Sequence, residues 1–486
     1  MELSQLLSGI PHKIATTNLT KISSITIDSR EVRPGTLFIC IRGLTVDGHS
    51  FIEGAVESGA VAVLVDEEYM GKPQNITIIK VKNTREAMAY IAANYHGNPS
   101  KKLRFIGVTG TNGKTTVTNF AEEILRICGR KTGLIGTVGA KINNKPLDIE
   151  FATSTTPDPL EMHAILAKMA DEGVQDVVME VSSHALALYK MAGITFDVSA
   201  FTNLTQDHLD FHGNMKNYRL AKAKLFSQSK FAVVNADDKS SATMLEHLPK
   251  SKNGDNFLTY SIKTNANLQA LHIEYLTQGS VFYVLEDKYT LPVNGRFNIY
   301  NALAAAGIAR ALGIDMKDIK NAIAKLSGVP GRIQSVPNDR GFHVLVDYAH
   351  SPDGLENIIP AVREFTKGKV ITIFGCGGDR DRGKRPIMGT IAGELSDYCI
   401  LTSDNPRTEN PMAILKEIEH GTKKTGTAYE VIESRRDAII KGVEMLTTGD
   451  ALIIAGKGHE DYQIIGEEKL HFSDYEEAVR ALEVCR

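Results

Sequence analysis

The stretch Arg104-Phe-Ile-Gly-Val-Thr-Gly-Thr-Asn-Gly-Lys-Thr-Thr-Val-Thr118 decides the fold. An apolar run of β type (Phe105, Ile106, Val108) feeds a glycine-rich turn ending in Gly113-Lys114-Thr115-Thr116. A helical pattern follows at Phe120, Ile124, Leu125 and Ile127. This is the strand–loop–helix order of a phosphate cradle. Gly110 and Gly113 let the main chain turn tightly, so successive N–H groups from Gly110 through Thr111 and Asn112 can point at phosphate oxygens. The helix N-terminus adds its positive end. Lys114 would reach the outer phosphates, and a hydroxyl of Thr115 or Thr116 would hold Mg²⁺. The general phosphate-loop pattern has a glycine five residues before Gly113; Val108 stands there instead.

A chain of 486 residues leads us to expect two to four domains. The formal net charge of −3 argues against a general binder of nucleic acid, so phosphate-binding cations must be local. Five scattered cysteines form no metal-ligand pair, and reduced thiols in a cytoplasm are expected. The segment Met1–Ile10 carries Glu2 and lacks the apolar core of a signal peptide. No run approaches ~18 apolar residues, so no membrane span is expected.

Three α/β domains are expected, at residues 1–99, 100–329 and 330–486. The first alternates short β-type runs (Ser24–Ile27, Thr36–Ile41, Ala60–Val65, Ile76–Val81) with helical stretches near Phe51–Ser58 and Arg85–Tyr95. In the second, Asp176–Met179 runs into Glu180-Val-Ser-Ser-His184, and Val198–Phe201 into Asn203–His208. Buried runs that end in polar residues present a site at the carboxyl ends of parallel strands. Ser280–Leu285 and Lys288–Pro292, with a turn at Glu286-Asp287, predict antiparallel strands. The third domain repeats the parallel pattern. His343–Val346 meets Asp347, Val370–Phe374 meets Gly375–Arg385, Tyr398–Thr402 meets Asp404-Asn-Pro-Arg407, and Ala451–Ala455 meets Gly456–Glu460. It reads as a second, Rossmann-like doubly wound sheet.

The residues alone leave several readings open. Asp28-Ser29-Arg30 and Arg42-Gly43 with Asp47-Gly48-His49 read as solvated turns or as a binding edge. Glu180 is a hard-oxygen candidate for Mg²⁺, which takes only one or two protein carboxylates. Asn298 reads equally as a helix cap. Asp404-Asn405-Pro406-Arg407 is a turn by composition, yet Arg407 is a planar donor suited to a carboxylate.

Thr109-Gly-Thr-Asn-Gly-Lys-Thr-Thr116 resembles the nucleotide loop of the Mur ligases, ATP-dependent amide-forming enzymes of peptidoglycan synthesis. The resemblance spans essentially the whole chain, through Asp-Ser-Arg, Glu-Val-Ser-Ser-His, Gly-Gly-Asp-Arg-Asp and Asp-Asn-Pro-Arg in the family's order. It implies an N-terminal domain that holds a UDP-linked substrate, with Ser29, Arg42, Gly43 and Leu44 beside the UDP. Ser154, Thr155, Thr156, Ser182 and Lys190 would hold the rest of that substrate. Gly110 to Thr116, with Asn298, Asn301, Arg332 and Asp347, would contact ATP. Thr115, Glu180 and His208 would bind Mg²⁺, and a carbamylated Lys222, preferred over Lys224 by alignment, would support a second Mg²⁺. Lys114, Lys222, Glu180 and His208 form the implied catalytic set. Where many relatives carry Gln and then Arg, this chain has Leu188 and Lys190, and a lysine offers a point charge rather than a bidentate fork.

The Asp-Asn-Pro-Arg form is similar to that of the branch adding meso-diaminopimelate. Arg380, Asp404, Asn405, Pro406, Arg407, Gly456 and Glu460 would line the amino-acid pocket, with Glu460 on the distal ammonium. The implied substrates are UDP-N-acetylmuramoyl-L-alanyl-D-glutamate, meso-2,6-diaminopimelate and ATP, handled by a cytoplasmic monomer. ATP would turn the glutamate carboxylate into an acyl phosphate, which the amine then attacks. The competing readings are a lysine-adding ligase, a folylpolyglutamate synthetase-like ligase, and an ATP-switched binding protein without ligase chemistry.

Overall fold

Runs of Val, Ile and Leu bounded by glycine and polar residues become strands throughout this chain, and most pair in parallel. The computed structural model describes residues 1–16, 21–43, 46–73, 75–149, 155–251, 254–276 and 279–485. Two compact units emerge. The first is Met1–Tyr260, Thr264–Asn267 and Ala304–Asp315; the second is Ser261–Lys263, Leu268–Leu303 and Met316–Arg486.

The first unit contains a five-stranded sheet in the order Lys13–Thr16, Thr77–Val81, Ala60–Asp66, Thr36–Ile39, Ser24–Thr26. All its neighbours are parallel except the edge strand Lys13–Thr16, which has no counterpart among the predicted runs. A larger sheet holds Ala232–Asn235, Val198–Phe201, Arg104–Thr109, Asp176–Glu180 and Thr132–Gly136 side by side in parallel. Register decides function here. Glu180 lies opposite Val108, and Phe201 opposite Thr109, so three strand ends converge on the glycine-rich turn. Beneath them a core of Phe105, Met162, Met179, Phe196, Phe201 and Phe226 holds the strands rigid.

The second unit contains a six-stranded sheet in the order Gln334–Ser335, His343–Asp347, Ala451–Ala455, Val370–Phe374, Tyr398–Leu401, Tyr429–Val431. Only Gln334–Ser335 is antiparallel. A separate antiparallel sheet is formed by Leu271–Tyr275, Ser280–Val284 and Asp287–Leu291. Its second turn sits one residue earlier than predicted. Val284 pairs with Asp287, leaving Leu285 and Glu286 as the two loop residues, at φ 49° and 70°. Positive φ at both positions matches the twist of a two-residue hairpin, and nothing about a leucine advertises it. Among the described residues no helix is long and apolar enough to cross a membrane.

Candidate active site

The turn after Arg104–Thr109 has the conformation its glycines allow. Gly110 lies at φ 153° and Gly113 at φ 84°, directly before the helix Lys114–Ile127. A Cβ on Gly110 would collide with the Thr202 hydroxyl. The turn is braced by the neighbouring strand end. Thr202 Oγ1 donates to Asn112 O at 2.6 Å, Asn203 Oδ1 accepts Asn112 N at 2.9 Å, and Thr111 N donates to Asn203 O at 2.9 Å. Lys114 folds over the turn and donates to Gly110 O at 3.0 Å and Thr111 O at 2.8 Å.

Glu180 is buried, and its carboxylate is held at both oxygens. Thr115 Oγ1 donates to Oε2 at 2.9 Å, and the Thr137 amide donates to Oε1 at 2.8 Å. Thr137 Oγ1 adds a bond to Oε2 at 3.2 Å. Thr137 was not among the predicted site residues. It follows Thr132–Gly136, a strand diluted by two glycines, and only the three-dimensional register brings it to Glu180.

Lys222, on the helix Met215–Ser227, is 1% exposed and donates to the same Gly110 O at 2.8 Å. Its ammonium lies 4.4 Å from the Tyr218 ring centre. Burial, then the nearby Lys114 charge, pushes its pKa well below the usual lysine value. Lys224 instead places its ammonium over Tyr189. His208 sits at φ 52° with Nε2 3.2 Å from Asp207 Oδ2, its ring edge-on to His184 at 4.8 Å. His212 packs behind them and shares a 2.9 Å hydrogen bond with the Ser183 hydroxyl.

Thr156 Oγ1 donates to Glu180 O at 3.0 Å and accepts Ser182 N at 3.2 Å, tying the Thr155-Thr156 segment to the same strand end. Thr155 Oγ1 lies 3.4 Å from Thr137 Oγ1. Lys190 is buried, donates to Thr156 O at 3.1 Å and pairs with Asp158 at 2.9 Å. On the five-stranded sheet, Ser29 opens a short 3-10 turn after Asp28. Arg42 pairs with Asp66 at 2.6 Å and Glu68 at 3.4 Å, and Gly43 N donates to Val46 O. Leu44 and Ser154 lie outside the described residues.

The second unit gathers a different set. Asp404 and Asn405 are buried, and Gly456 packs so closely that a Cβ there would sit 2.8 Å from Asp404 Oδ2. Arg407 is half-buried at φ 51° and donates from Nη1 to Gly378 O at 2.9 Å. A Cβ on Gly378 would collide with Pro406 O, so the two loops meet main chain to main chain. Asn405 Nδ2 donates to Glu460 Oε2 at 3.1 Å. Burial, then the Asp404 charge, raises the Glu460 pKa. Lys457, also absent from the predicted set, lies beneath this group. Beside it, the fully buried Arg435 clamps Asp474 through two 2.7 Å bonds and reaches Ala455 O at 2.9 Å. Arg380 is exposed and donates to Asp379 O at 3.2 Å.

Asp347 accepts Ile333 N and Ala349 N, each at 2.8 Å. Burial raises its pKa, and the Arg332 charge opposes that rise. Arg332 stacks over Tyr348 at 5.0 Å. Asn298 lies inside the helix Arg296–Ala311, donating to Asn294 O at 2.9 Å and accepting from Asn301 at 3.2 Å, so it is not a cap.

Family models match three successive segments. Residues 21–96 match the Mur ligase family catalytic domain, 108–309 the Mur ligase middle domain, and 331–458 the Mur ligase glutamate ligase domain. The UDP-N-acetylmuramoyl-L-alanyl-D-glutamate–2,6-diaminopimelate ligase of Caldanaerobacter subterraneus subsp. tengcongensis is 45% identical over 481 residues, covering 98% of each chain. This chain belongs to the Mur ligase family. A second such ligase, ligase 2 of Clostridium acetobutylicum, is 42% identical to this Mur ligase, covering 98% of it and 99% of the relative. A solved structure of a ligase of the same name superposes with TM-score 0.71 at 31% identity, covering 100% of this Mur ligase and 99% of that chain. The Mycobacterium tuberculosis folylpolyglutamate synthase shares the fold at 19% identity and TM-score 0.60, over 76% of this Mur ligase and 92% of that chain.

Proposed function

We propose that this Mur ligase joins meso-2,6-diaminopimelate to UDP-N-acetylmuramoyl-L-alanyl-D-glutamate at the expense of ATP, acting as a cytoplasmic monomer. Full-length similarity to relatives named for that reaction supports it, and five free cysteines fit a reducing compartment. The observation that carries the choice of amino acid is the half-buried Arg407 guanidinium, set beside Asn405 and Glu460 in one pocket.

The glutamate carboxylate is a poor acyl donor and must first meet the terminal phosphate of ATP, an encounter of two anions. Lys114 and the N–H groups of Gly110 to Thr116 neutralise and align the phosphates. The residues present fit Mg²⁺, because Thr115 and Glu180 present touching hard oxygens at the strand end beside the turn. His208 completes the proposed set, and the ion would supply further charge neutralisation there. Lys222 is held in a site that favours its neutral amine, the form able to take up CO₂ as a carbamate. Asn298, Asn301, Arg332 and Asp347 are proposed to hold the nucleotide. Ser29, Arg42, Gly43, Thr155, Thr156, Ser182 and Lys190 are proposed to hold the UDP-peptide.

In the second unit, Arg407 binds the carboxylate that diaminopimelate has and lysine lacks, and Glu460 takes the distal ammonium. Arg380, Asp404, Pro406 and Gly456 complete that pocket. Lysine would leave the guanidinium unpaired, which discriminates by a factor on the order of 10²–10⁴. The test is phosphate release measured with the UDP-dipeptide and diaminopimelate, lysine or no amine, side by side. Release with diaminopimelate alone is expected. Equal release with lysine would refute the pocket assignment, and release independent of any amine would refute the ligase reading.

A further inference from the structure

Lys457 is a buried cation to which the chemistry above gives no task. Its side chain is 0% exposed, in the turn between Ala451–Ala455 and Glu460. A buried ammonium has to find acceptors. Lys457 Nζ donates to Asn405 Oδ1 at 2.9 Å and to Tyr462 O at 2.7 Å. The Asp404 carboxylate lies 3.6 Å away and that of Glu460 4.0 Å. Both are ion-pair distances too long for hydrogen bonds, so Lys457 neutralises Glu460 without occupying its acceptor positions.

The Asn405 amide shows the consequence. Its Oδ1 accepts both Lys457 Nζ and Ile464 N, the latter at 3.0 Å. With the oxygen fixed there, Nδ2 has to face Glu460 Oε2. Turned over, the amide would set its NH₂ against an ammonium and an N–H, and its oxygen against a carboxylate.

We propose that Lys457 is the positioning residue of the amino-acid pocket: it locks the Asn405 amide onto Glu460 and supplies countercharge to the Asp404 and Glu460 carboxylates that would face the incoming ammonium. This rests on reading the Asp404–Arg407 pocket as the amino-acid site. The charges around it balance. Asp404 and Arg407 face Glu460 from one loop, Tyr348 from the turn after His343–Asp347, and Tyr462 from the hairpin. Arg435 and Asp474 face Lys457 from two helices. Removing Lys457 takes a countercharge from Glu460, whose charge burial and the neighbouring Asp404 already disfavour, so the Glu460 carboxyl takes up a proton more readily. It also frees Asn405 to turn.

Lys457→Met and Lys457→Gln keep most of the reach of the side chain and remove its charge. In the full chain each should raise KM for diaminopimelate about tenfold or more. The kcat should stay within about threefold, as should KM for ATP and for the UDP-dipeptide. The acid limb of the diaminopimelate KM profile should move to higher pH. An unchanged KM, or a fall in kcat alone, would overturn the proposal. If neither variant folds, the wild-type profile decides. KM for diaminopimelate should rise toward acid pH as Glu460 takes up its proton, and a KM that stays flat on the acid side would show that the Glu460 charge Lys457 supports plays no part in binding. Wild-type protein inactive with diaminopimelate would instead refute the assigned reaction, a separate outcome.

Discussion

At the glycine-rich turn, Lys114 and Lys222 both donate to the carbonyl of Gly110. At the Asp404–Arg407 pocket, Lys457 ends on a side-chain amide among carboxylates, and Arg435 ends on Asp474. The first region brings two lysine amines onto one neutral main-chain oxygen, and burial favours the neutral form of Lys222 there. The second balances its charges internally, which suits a ligand that is itself a zwitterion. On the proposed assignment, phosphate is recognised by main-chain shape and the charge of Lys114. On the same assignment, the amino acid meets side-chain partners fixed before it arrives.

The comparison breaks most sharply at Lys222. Lys222→Ala should lower kcat by at least about 10³-fold, with no rescue by added bicarbonate, because no amine remains to be carbamylated. Near-normal turnover would remove Lys222 from the proposed catalytic set. Next comes Arg407. Arg407→Ala should cut kcat/KM for diaminopimelate about 10²-fold and narrow its advantage over lysine, with KM for ATP unchanged. A parallel loss for both amino acids would make Arg407 a loop brace rather than a selector.

The smallest effect sharpens the comparison from a third site. His163 is 1% exposed on the helix Pro159–Asp171, which packs on the helix Thr84–Tyr95, and neither ring nitrogen has a hydrogen-bond partner among the described residues. Burial, then the His96 charge, lowers its pKa to about 4. The folded state therefore refuses a proton that the unfolded chain accepts below its ordinary value of 6.5. Its contribution to stability is level above pH 6.5 and falls as the pH drops toward 4, by about 3 kcal/mol in all. His163→Met should flatten this acid loss and add about 1 kcal/mol at pH 7. Urea midpoints at pH 7 and pH 5 check both, and an equal acid loss in the variant would exonerate His163.

The contrast also explains what could be read in advance. The phosphate loop is contiguous, and Gly110, Gly113, Lys114 and Thr115 announce a conformation and a charge within six residues. Glu180 was legible as the polar end of an apolar run. Thr137 and Asp158 were not, because each meets its partner through sheet register or loop folding and neither residue type signals a site. Lys457 was hidden for the same reason: in sequence it is an ordinary lysine between two glycines, and only its complete burial marks it. The hairpin turn slipped by one residue since Leu285 carries none of the usual cues for positive φ.

One feature of the second unit reaches beyond chemistry. Where Gly378 meets Pro406 O, the peptide planes touch with no side chain between them. Such a floor has no slack to widen or tilt by degrees. On the proposed assignment, a change of amino-acid preference would therefore come through discrete exchanges of the residues standing on it rather than through movement of the floor itself.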